Sequence, residues 1–193
     1  MDLNQIKQLR EETGASIADC NTCLEEASGN FDKAKELLRK RGIEIANKKS
    51  ERVAAEGTIA SYVHSNGKFA SLVALKCETD FVARNEKFRQ LAKDIAMQVV
   101  AMNPSYLSPS NVPEEVTEKE KEIEREKLKN QGKSDAVIEQ ILKGKLEKFY
   151  SQTTLVKQPF VKDDKRTIED VIREHVQKLG ENIEISQFVR IVL

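Results

Sequence analysis

The side chains in this sequence that could carry out chemistry include a pair of cysteines, Cys20 and Cys23, at C-x-x-C spacing. That spacing is typical of zinc sites and of thiol redox centres. A structural zinc site needs four ligands, and the sequence contains no second C-x-x-C and no histidine pair. A redox centre needs a βαβ setting, whereas this pair falls within a predicted helical hairpin. We therefore expect both thiols, like the isolated Cys77, to be small apolar core side chains.

No other set of residues indicates a catalytic or nucleotide-binding site. His64 and His175 have no serine or cysteine nucleophile motif beside them, so a catalytic triad lacks support. The glycine motifs that bind nucleotide phosphates are absent from the sequence. Carboxylates are abundant in residues 114–126, but they belong to a predicted solvated helix without the apolar setting that shifts a pKa. We predict a protein that is not an enzyme and that binds no metal or cofactor.

A different chemistry is indicated by the segment Thr79–Asn85, with the sequence TDFVARN, where a predicted strand passes into a predicted helix. In one interpretation, Thr79 or Asp80 caps the helix and Phe81 packs beneath it. In the other, an aromatic side chain beside an acidic one at the tip of an element inserts into a partner protein. Residue types and spacing leave both interpretations open.

The elements that must position these residues begin with short helices. Apolar spacing predicts a first helix over residues 2–12, a second that Ser16 caps, and a third that Asn30 caps. Gly42 is expected to end the third helix before a short connector helix. Because helices this short are marginal alone, we expect residues 1–52 to form a three-helix domain. The predicted apolar side of the second helix comprises Ile17, Cys20, Leu24 and Ala27.

The remaining residues, 53–193, predict an α+β domain. Two stretches of alternating residues flank Asn66-Gly67, which is the strongest short signal of a β-hairpin. A continuous apolar stripe predicts one long helix over residues 80–102, and the β-branched residues 183–193 predict a third strand. Further helices are predicted over residues 114–130, from Ser134 and from Thr167. We therefore predict an α+β fold, with an N-terminal three-helix domain followed by a three-stranded antiparallel sheet packed with helices.

Composition limits the possible partners and compartment. The 193 residues balance 32 Lys and Arg against 32 Asp and Glu, so the formal net charge is zero. A neutral chain lacks the overall attraction that nucleic-acid-binding proteins use, so we expect no direct contact with nucleic acid. No apolar run approaches the length of a membrane span, and an odd number of cysteines, three, is typical of a reduced compartment. We predict a cytoplasmic protein without a membrane contact.

Three parts of the sequence together resemble one protein family. They are TDFVARN (Thr79–Asn85), LREETGASIADC (Leu9–Cys20), and the C-terminal segments QPFVKDDKRTIEDVI (Gln158–Ile172) and KLGENIEISQFVRIVL (Lys178–Leu193). Through them the chain resembles the elongation factor Ts family, whose members are nucleotide exchange factors of the translational GTPase elongation factor Tu. The resemblance implies N-terminal helices that are similar to ubiquitin-associated domains and that dock on the GTPase domain of the partner.

The resemblance also implies roles for individual residues. By residue match, Arg10, Ile17 and Ala18 lie at the contact that the N-terminal domain makes with elongation factor Tu. Asp80 and Phe81 would enter between helices of the partner near the magnesium ion of its nucleotide. The partner-binding segment is completed by Thr79, Val82, Arg84 and Asn85. With 193 residues, the chain resembles the short form of the family, which acts as a homodimer.

Single motifs would fit two other functions. An adaptor would bind ubiquitin or a similar small protein through the loop between the first two helices, where Thr13-Gly14-Ala15 stands. Such an adaptor has no need for TDFVARN at a hairpin-to-helix junction. A redox enzyme would require both Cys20 and Cys23 for its activity. Nucleotide exchange, by contrast, requires neither thiol.

Overall fold

The structure, a computed structural model, describes residues 3–193. The predicted start of the first helix at residue 2 lies outside the described residues. In chain order the elements are α1 (Leu3–Thr13), α2 (Ile17–Glu26), α3 (Phe31–Lys49), β1 (Glu56–Val63), β2 (Phe69–Cys77), α4 (Asp80–Arg84), α5 (Glu86–Met102), α6 (Glu114–Asn130), α7 (Asp135–Thr153), β3 (Pro159–Phe160), β4 (Asp163–Thr167), α8 (Ile168–Leu179) and β5 (Ile183–Val192).

Helices α1, α2 and α3 begin the chain, and the last two start at the predicted caps. The Ser16 Oγ accepts the backbone N–H of Asp19 at 3.1 Å, and the Asn30 Oδ1 accepts that of Lys33 at 3.0 Å. Because each cap satisfies an N–H that has no partner inside its helix, the cap fixes where the helix starts. The core of these helices consists of the buried side chains Ile6, Leu9, Ala15, Cys20, Cys23, Leu24, Ala27, Ala34 and Leu38.

Helix α3 is longer than the sequence predicts, because it continues through Gly42 to Lys49. The prediction that Gly42 ends this helix is wrong. Gly42 is buried against α8, where a Cβ would lie 2.6 Å from the Oε1 of Gln177. The glycine therefore permits a close approach of two helices, at a cost of about 1 kcal/mol relative to alanine in a helix.

The three-stranded antiparallel sheet has the strand order β1-β2-β5 and confirms the predicted α+β class. The Asn66-Gly67 turn joins β1 to β2, and Gly67 takes the positive φ of 69° that such a turn requires. The backbone N–H of His64 donates to the carbonyl of Phe69 at 2.8 Å, which closes the hairpin. The predicted last strand, β5, lies on the other side of β2.

The predicted long helix over residues 80–102 is two helices, α4 and α5. Asn85 separates them with extended backbone angles, φ −65° and ψ 134°. Its N–H donates to the carbonyl of Val82 at 2.9 Å, and its Oδ1 accepts the N–H of Lys87 at 2.9 Å. The same residue thus ends one helix and starts the next, so the prediction of one continuous helix is wrong.

Contacts divide the chain into two compact units. The first comprises the residues up to Ala60, Val73–Asp94 and Asp170–Ser186, and the second comprises Ser61–Leu72, Ile95–Glu169 and Gln187–Leu193. The domain boundary predicted after residue 52 stays a prediction.

In the second unit, α6 and α7 pack together through the buried side chains of Leu128, Ile138 and Leu142. The carboxylate of Glu124 pairs with Lys127 at 2.7 Å and with Lys145 at 3.0 Å. Hydrogen bonds from these two ammonium groups hold the pKa of Glu124 below its usual value. The predicted charged helix over residues 114–130 is confirmed, and one of its faces packs against α7.

The short hairpin of β3 and β4 in the second unit was not predicted. Its strands contain few apolar residues and pair at Phe160 and Asp163. The buried amide of Gln98 holds this hairpin to α5, since its Nε2 donates to the carbonyl of Pro159 at 3.0 Å and its Oε1 accepts the N–H of Val161 at 2.8 Å. Across residues 3–193, no helix has the length and apolar character that a membrane crossing requires.

Candidate functional site

The junction between β2 and α4 is shaped by a threonine cap. Thr79 has extended backbone angles, and its Oγ1 accepts the N–H of Val82 at 3.5 Å. Of the two predicted capping residues, the structure therefore selects Thr79 and leaves Asp80 in the first turn of α4. A carboxylate in this position also interacts favourably with the positive end of the helix dipole.

Phe81 projects away from the protein, because its side chain is 82% exposed. Its neighbour Ala83 is buried and Val82 is half-buried, so these two residues form the inner side of α4. In the chain without a partner, Phe81 does not pack beneath the helix, so that interpretation is wrong. An exposed aromatic ring at the tip of an element is available for a partner.

Charged side chains flank this ring on the outer side of α4. The carboxylate of Asp80 pairs with the guanidinium of Arg84 at 3.1 Å; the Arg84 side chain is largely exposed and the Asp80 side chain is about half-exposed. Within the following helix, the Nε of Arg89 donates to the carbonyl of Ala83 at 3.4 Å, across the break at Asn85. The segment Thr79–Asn85 thus presents one aromatic ring and one ion pair on a short, doubly anchored turn.

The junction between β2 and α4 is held by hydrogen bonds to residues that the sequence did not predict as part of the site. The Glu181 Oε2, in the turn between α8 and β5, accepts the backbone N–H groups of Glu78 and Thr79, each at 3.0 Å. The Glu181 Oε1 accepts the hydroxyl of Thr79 at 2.6 Å. In the opposite direction, the Glu78 Oε1 accepts the N–H of Asn182 at 2.6 Å. No local pattern signals these contacts, because they join residues more than a hundred positions apart.

The N-terminal residues assigned by resemblance lie around the turn from α1 to α2. Arg10, Ile17 and Ala18 are all exposed, and Ile17 is 57% exposed. The N–H of Gly14 donates to the carbonyl of Arg10 at 2.7 Å and closes this turn. The prediction that Ile17 belongs to the apolar core of α2 is therefore wrong, and its exposure fits the contact role instead.

The cysteines are buried in the described structure. Burial raises the pKa of the Cys20 and Cys23 thiols, which keeps them protonated and poorly nucleophilic. Burial, together with the negative charge of Glu181, raises the pKa of Cys77 to about 11. Among residues 3–193, no group of three or more His, Cys, Asp or Glu side chains is arranged to hold a metal ion. These environments are those of core side chains.

Comparison with known proteins identifies the family. A family model described as "Elongation factor TS" matches residues 4–193. The chain belongs to the elongation factor Ts family. It is 49% identical over 193 residues to the elongation factor Ts of Anaeromyxobacter sp. (strain Fw109-5), covering 100% of this chain and 88% of that protein. It is 52% identical over 185 residues to the elongation factor Ts of Thermosipho melanesiensis, covering 96% of this chain and 94% of that protein.

A third relative gives the same result from a different organism. The chain is 46% identical over 188 residues to the elongation factor Ts of Nitratidesulfovibrio vulgaris, with 97% of this chain and 94% of that protein covered. The elongation factor Ts family belongs to translation elongation in protein biosynthesis, and it supplies the nucleotide exchange factors of elongation factor Tu. Exchange of a bound nucleotide is not the catalysis of a chemical reaction.

Proposed function

We propose that this chain accelerates the release of GDP from elongation factor Tu. Membership in the elongation factor Ts family, which rests on matches over nearly the whole chain, is the observation that carries the proposal. The exposed Phe81 in the TDFVARN segment supports it, since a side chain that acts on a partner must be free to reach it. We also place the protein in the cytoplasm, as the cysteine content predicts.

The proposed mechanism is thermodynamic linkage. An exchange factor binds the nucleotide-free GTPase more tightly than the nucleotide-bound form. Because the two bindings are coupled reciprocally, the affinity of the GTPase for GDP must fall by the same factor. No group on this chain needs to form or break a covalent bond, which fits the buried, protonated state of its cysteines.

Within this mechanism, Phe81 acts as a wedge and Asp80 helps to hold the displaced arrangement. Insertion of the ring between partner helices would shift the elements around the magnesium ion and the phosphates, so that GDP leaves faster and GTP can bind. Thr79, Val82, Arg84 and Asn85 shape and present the wedge. Arg10, Ile17 and Ala18 form a second contact on the GTPase domain, and surface charges chiefly affect the rate of association. We expect neither nucleic acid nor membrane to take part.

The test follows the release of a fluorescent GDP from elongation factor Tu. The wild-type chain should accelerate release in a concentration-dependent manner, whereas the F81A variant should lose most of the acceleration. V53A is a matched control, because Val53 and Phe81 are both apolar and each is 82% exposed. Absence of acceleration by the wild-type chain would refute the proposed function, and equal losses in F81A and V53A would refute the wedge.

We further propose that the chain works as a homodimer. The exposed apolar side chains Val63, Leu72, Val189 and Ile191 lie on the three strands of the sheet and within the second unit. The N–H of Leu193 donates to the carbonyl of Lys68 at 3.0 Å, which sets β5 against β2 near these residues. A self-complementary apolar patch of this kind suits pairing of two copies about a two-fold axis.

Sedimentation analysis of the L72D variant tests the dimer. A charge at the centre of an apolar interface should convert the dimer to a monomer. V161D introduces the same carboxylate at an exposed apolar residue on another part of the second unit and should leave the dimer intact. A wild-type chain that sediments as a monomer at working concentration, or an L72D variant that remains dimeric, would contradict this proposal.

A further inference from the structure

Two turns of the first unit are joined by hydrogen bonds that a glutamate of each turn accepts from the other turn. We call these four residues, Glu78, Thr79, Glu181 and Asn182, the crossed clamp. Glu181 accepts two backbone N–H groups and one hydroxyl from Glu78 and Thr79. Glu78 accepts the backbone N–H of Asn182 in return. Hydrogen bonds to a carboxylate are about twice as strong as those between neutral groups, so this set fixes the geometry of both turns.

The crossed clamp acts on the part of the chain that presents Phe81. Helix α4 has 5 residues, too few to be stable by itself. The exposed ring of Phe81 contributes little packing that could orient the helix. The direction of the ring therefore depends on Thr79, whose hydroxyl oxygen accepts the N–H of Val82 and donates its proton to Glu181. A displacement of the Glu181 carboxylate would reach the wedge through this hydroxyl and through the backbone N–H groups of Glu78 and Thr79.

The same turn also holds the end of the N-terminal helices. The Asn182 Nδ2 donates to the carbonyl of Arg52 at 2.8 Å, and the Lys49 ammonium donates to the carbonyl of Gly180. The Arg52 guanidinium lies 3.6 Å from the Glu78 carboxylate and offsets part of the negative charge of the clamp. The turn 180–182 is thus the common support of the connector that follows α3 and of the wedge on α4.

We propose that Glu181 is the positioning residue of the exchange reaction, which orients Phe81 and Asp80 through Thr79 without touching the partner. This inference rests on the proposed exchange function. It predicts that loss of the Glu181 carboxylate lowers the maximal rate of GDP release at saturating factor, because the complex forms with a misdirected wedge. The concentration of factor at half-maximal rate should change less, since the exposed contact surfaces remain.

The experiment measures GDP release from elongation factor Tu over a range of concentrations of E181Q and E181A. We expect the maximal rate to fall about tenfold, which corresponds to one or two hydrogen bonds to a charged group. E36Q is the matched control: it makes the same substitution at a glutamate that pairs with Lys40, where both side chains are 67% exposed, and that is far in sequence from the clamp. Amide hydrogen exchange of the peptide 78–85 should become faster in E181Q and stay unchanged in E36Q.

A double-mutant cycle with F81A separates positioning from a general structural role. If Glu181 acts through the wedge, E181Q should reduce exchange little further in the F81A background. A second variant covers the case in which E181Q fails to fold: T79V loses the hydroxyl that donates to Glu181 and should also lower the maximal rate of GDP release, so full exchange by folded T79V would contradict the inference. Full exchange by folded E181Q, or an undiminished effect of E181Q in the F81A background, would overturn the inference alone. A wild-type chain without exchange activity would refute the proposed function, and the inference with it.

Discussion

Phe81 and Phe88 are the same residue type in opposite environments. Phe81 in α4 is 82% exposed, and Phe88 in α5 has no exposed surface. They are seven residues apart, a separation that would place both on the same face of one continuous helix. The break at Asn85 is therefore what turns one ring outward while the other enters the core.

The comparison shows how a rigid support can present an apolar side chain to a partner. Helix α5 supplies the support through its buried residues Phe88, Leu91 and Ile95. Helix α4 has few such contacts and is held at its ends instead, by Thr79 and Asn85. A short turn anchored at both ends keeps an exposed ring in one direction without burying it. The same substitution should therefore have different effects in the two helices. The free energy of unfolding of the protein, measured for each variant, gives the difference.

F88A should have the largest effect. Removal of a fully buried phenylalanine ring leaves a cavity and should lower the free energy of unfolding by about 3–5 kcal/mol. Urea unfolding followed by circular dichroism measures this loss. F88L, which keeps most of the apolar volume, should cost considerably less. A loss below about 1 kcal/mol for F88A would mean that the core beneath α5 is not organised as described.

Much of the fold could be predicted because its signals are local. The Asn66-Gly67 turn, the caps at Ser16 and Asn30, and the final strand all depend on residues close in sequence. The prediction at Gly42 was wrong because glycine often ends a helix. In this structure, Gly42 lies inside a helix and permits a close approach to Gln177. That contact joins distant parts of the sequence, so no local pattern could reveal it.

The candidate site was predictable in part for the same reason. The motif Thr79–Asn85 drew attention through its residue types and its resemblance to a family, but two features of its geometry were hidden. The regular helical spacing of Phe88, Leu91 and Ile95, with the apolar Val82 before them, favoured one continuous helix and concealed the break at Asn85. The Glu181 carboxylate reaches Thr79 from 102 positions away. Glu181 lies within the family-like segment Lys178–Leu193, but neither that resemblance nor its residue type indicates a contact with Thr79.

N85A should have an intermediate effect on stability. It removes the Oδ1 that accepts the N–H of Lys87, which should cost about 1 kcal/mol, and it favours a continuous helix. Since a continuous helix would turn Phe81 toward the face of Phe88, GDP release should slow as well. N47A, on the exposed side of α3, is the matched control and should leave both stability and exchange nearly unchanged. Unaltered exchange by N85A would show that the break does not direct the ring.

R84A should have a smaller effect on stability. The pair of Arg84 with Asp80 is exposed and spans one helical turn, so its loss should cost about 0.3–0.5 kcal/mol at low salt. At 1 M salt, where screening acts within about 3 Å, the cost should largely disappear. K40A removes a similar pair with Glu36 and should show the same salt dependence. A cost that persists at high salt would indicate that Arg84 packs against α4 instead of pairing with Asp80.

F81A should have the smallest effect on stability, although it removes the same ring as F88A. Because the exposed Phe81 side chain buries little apolar surface in the folded chain, its truncation should change the free energy of unfolding by no more than about 0.5 kcal/mol in either direction. Urea unfolding of F81A and F88A under identical conditions gives the contrast directly. A ring that stabilises the free chain so little, but whose removal takes away most of the acceleration of GDP release, would contribute its apolar surface in the complex. If F81A instead destabilised the chain by several kcal/mol, its loss of exchange would follow from unfolding, and α4 would be part of the core like α5.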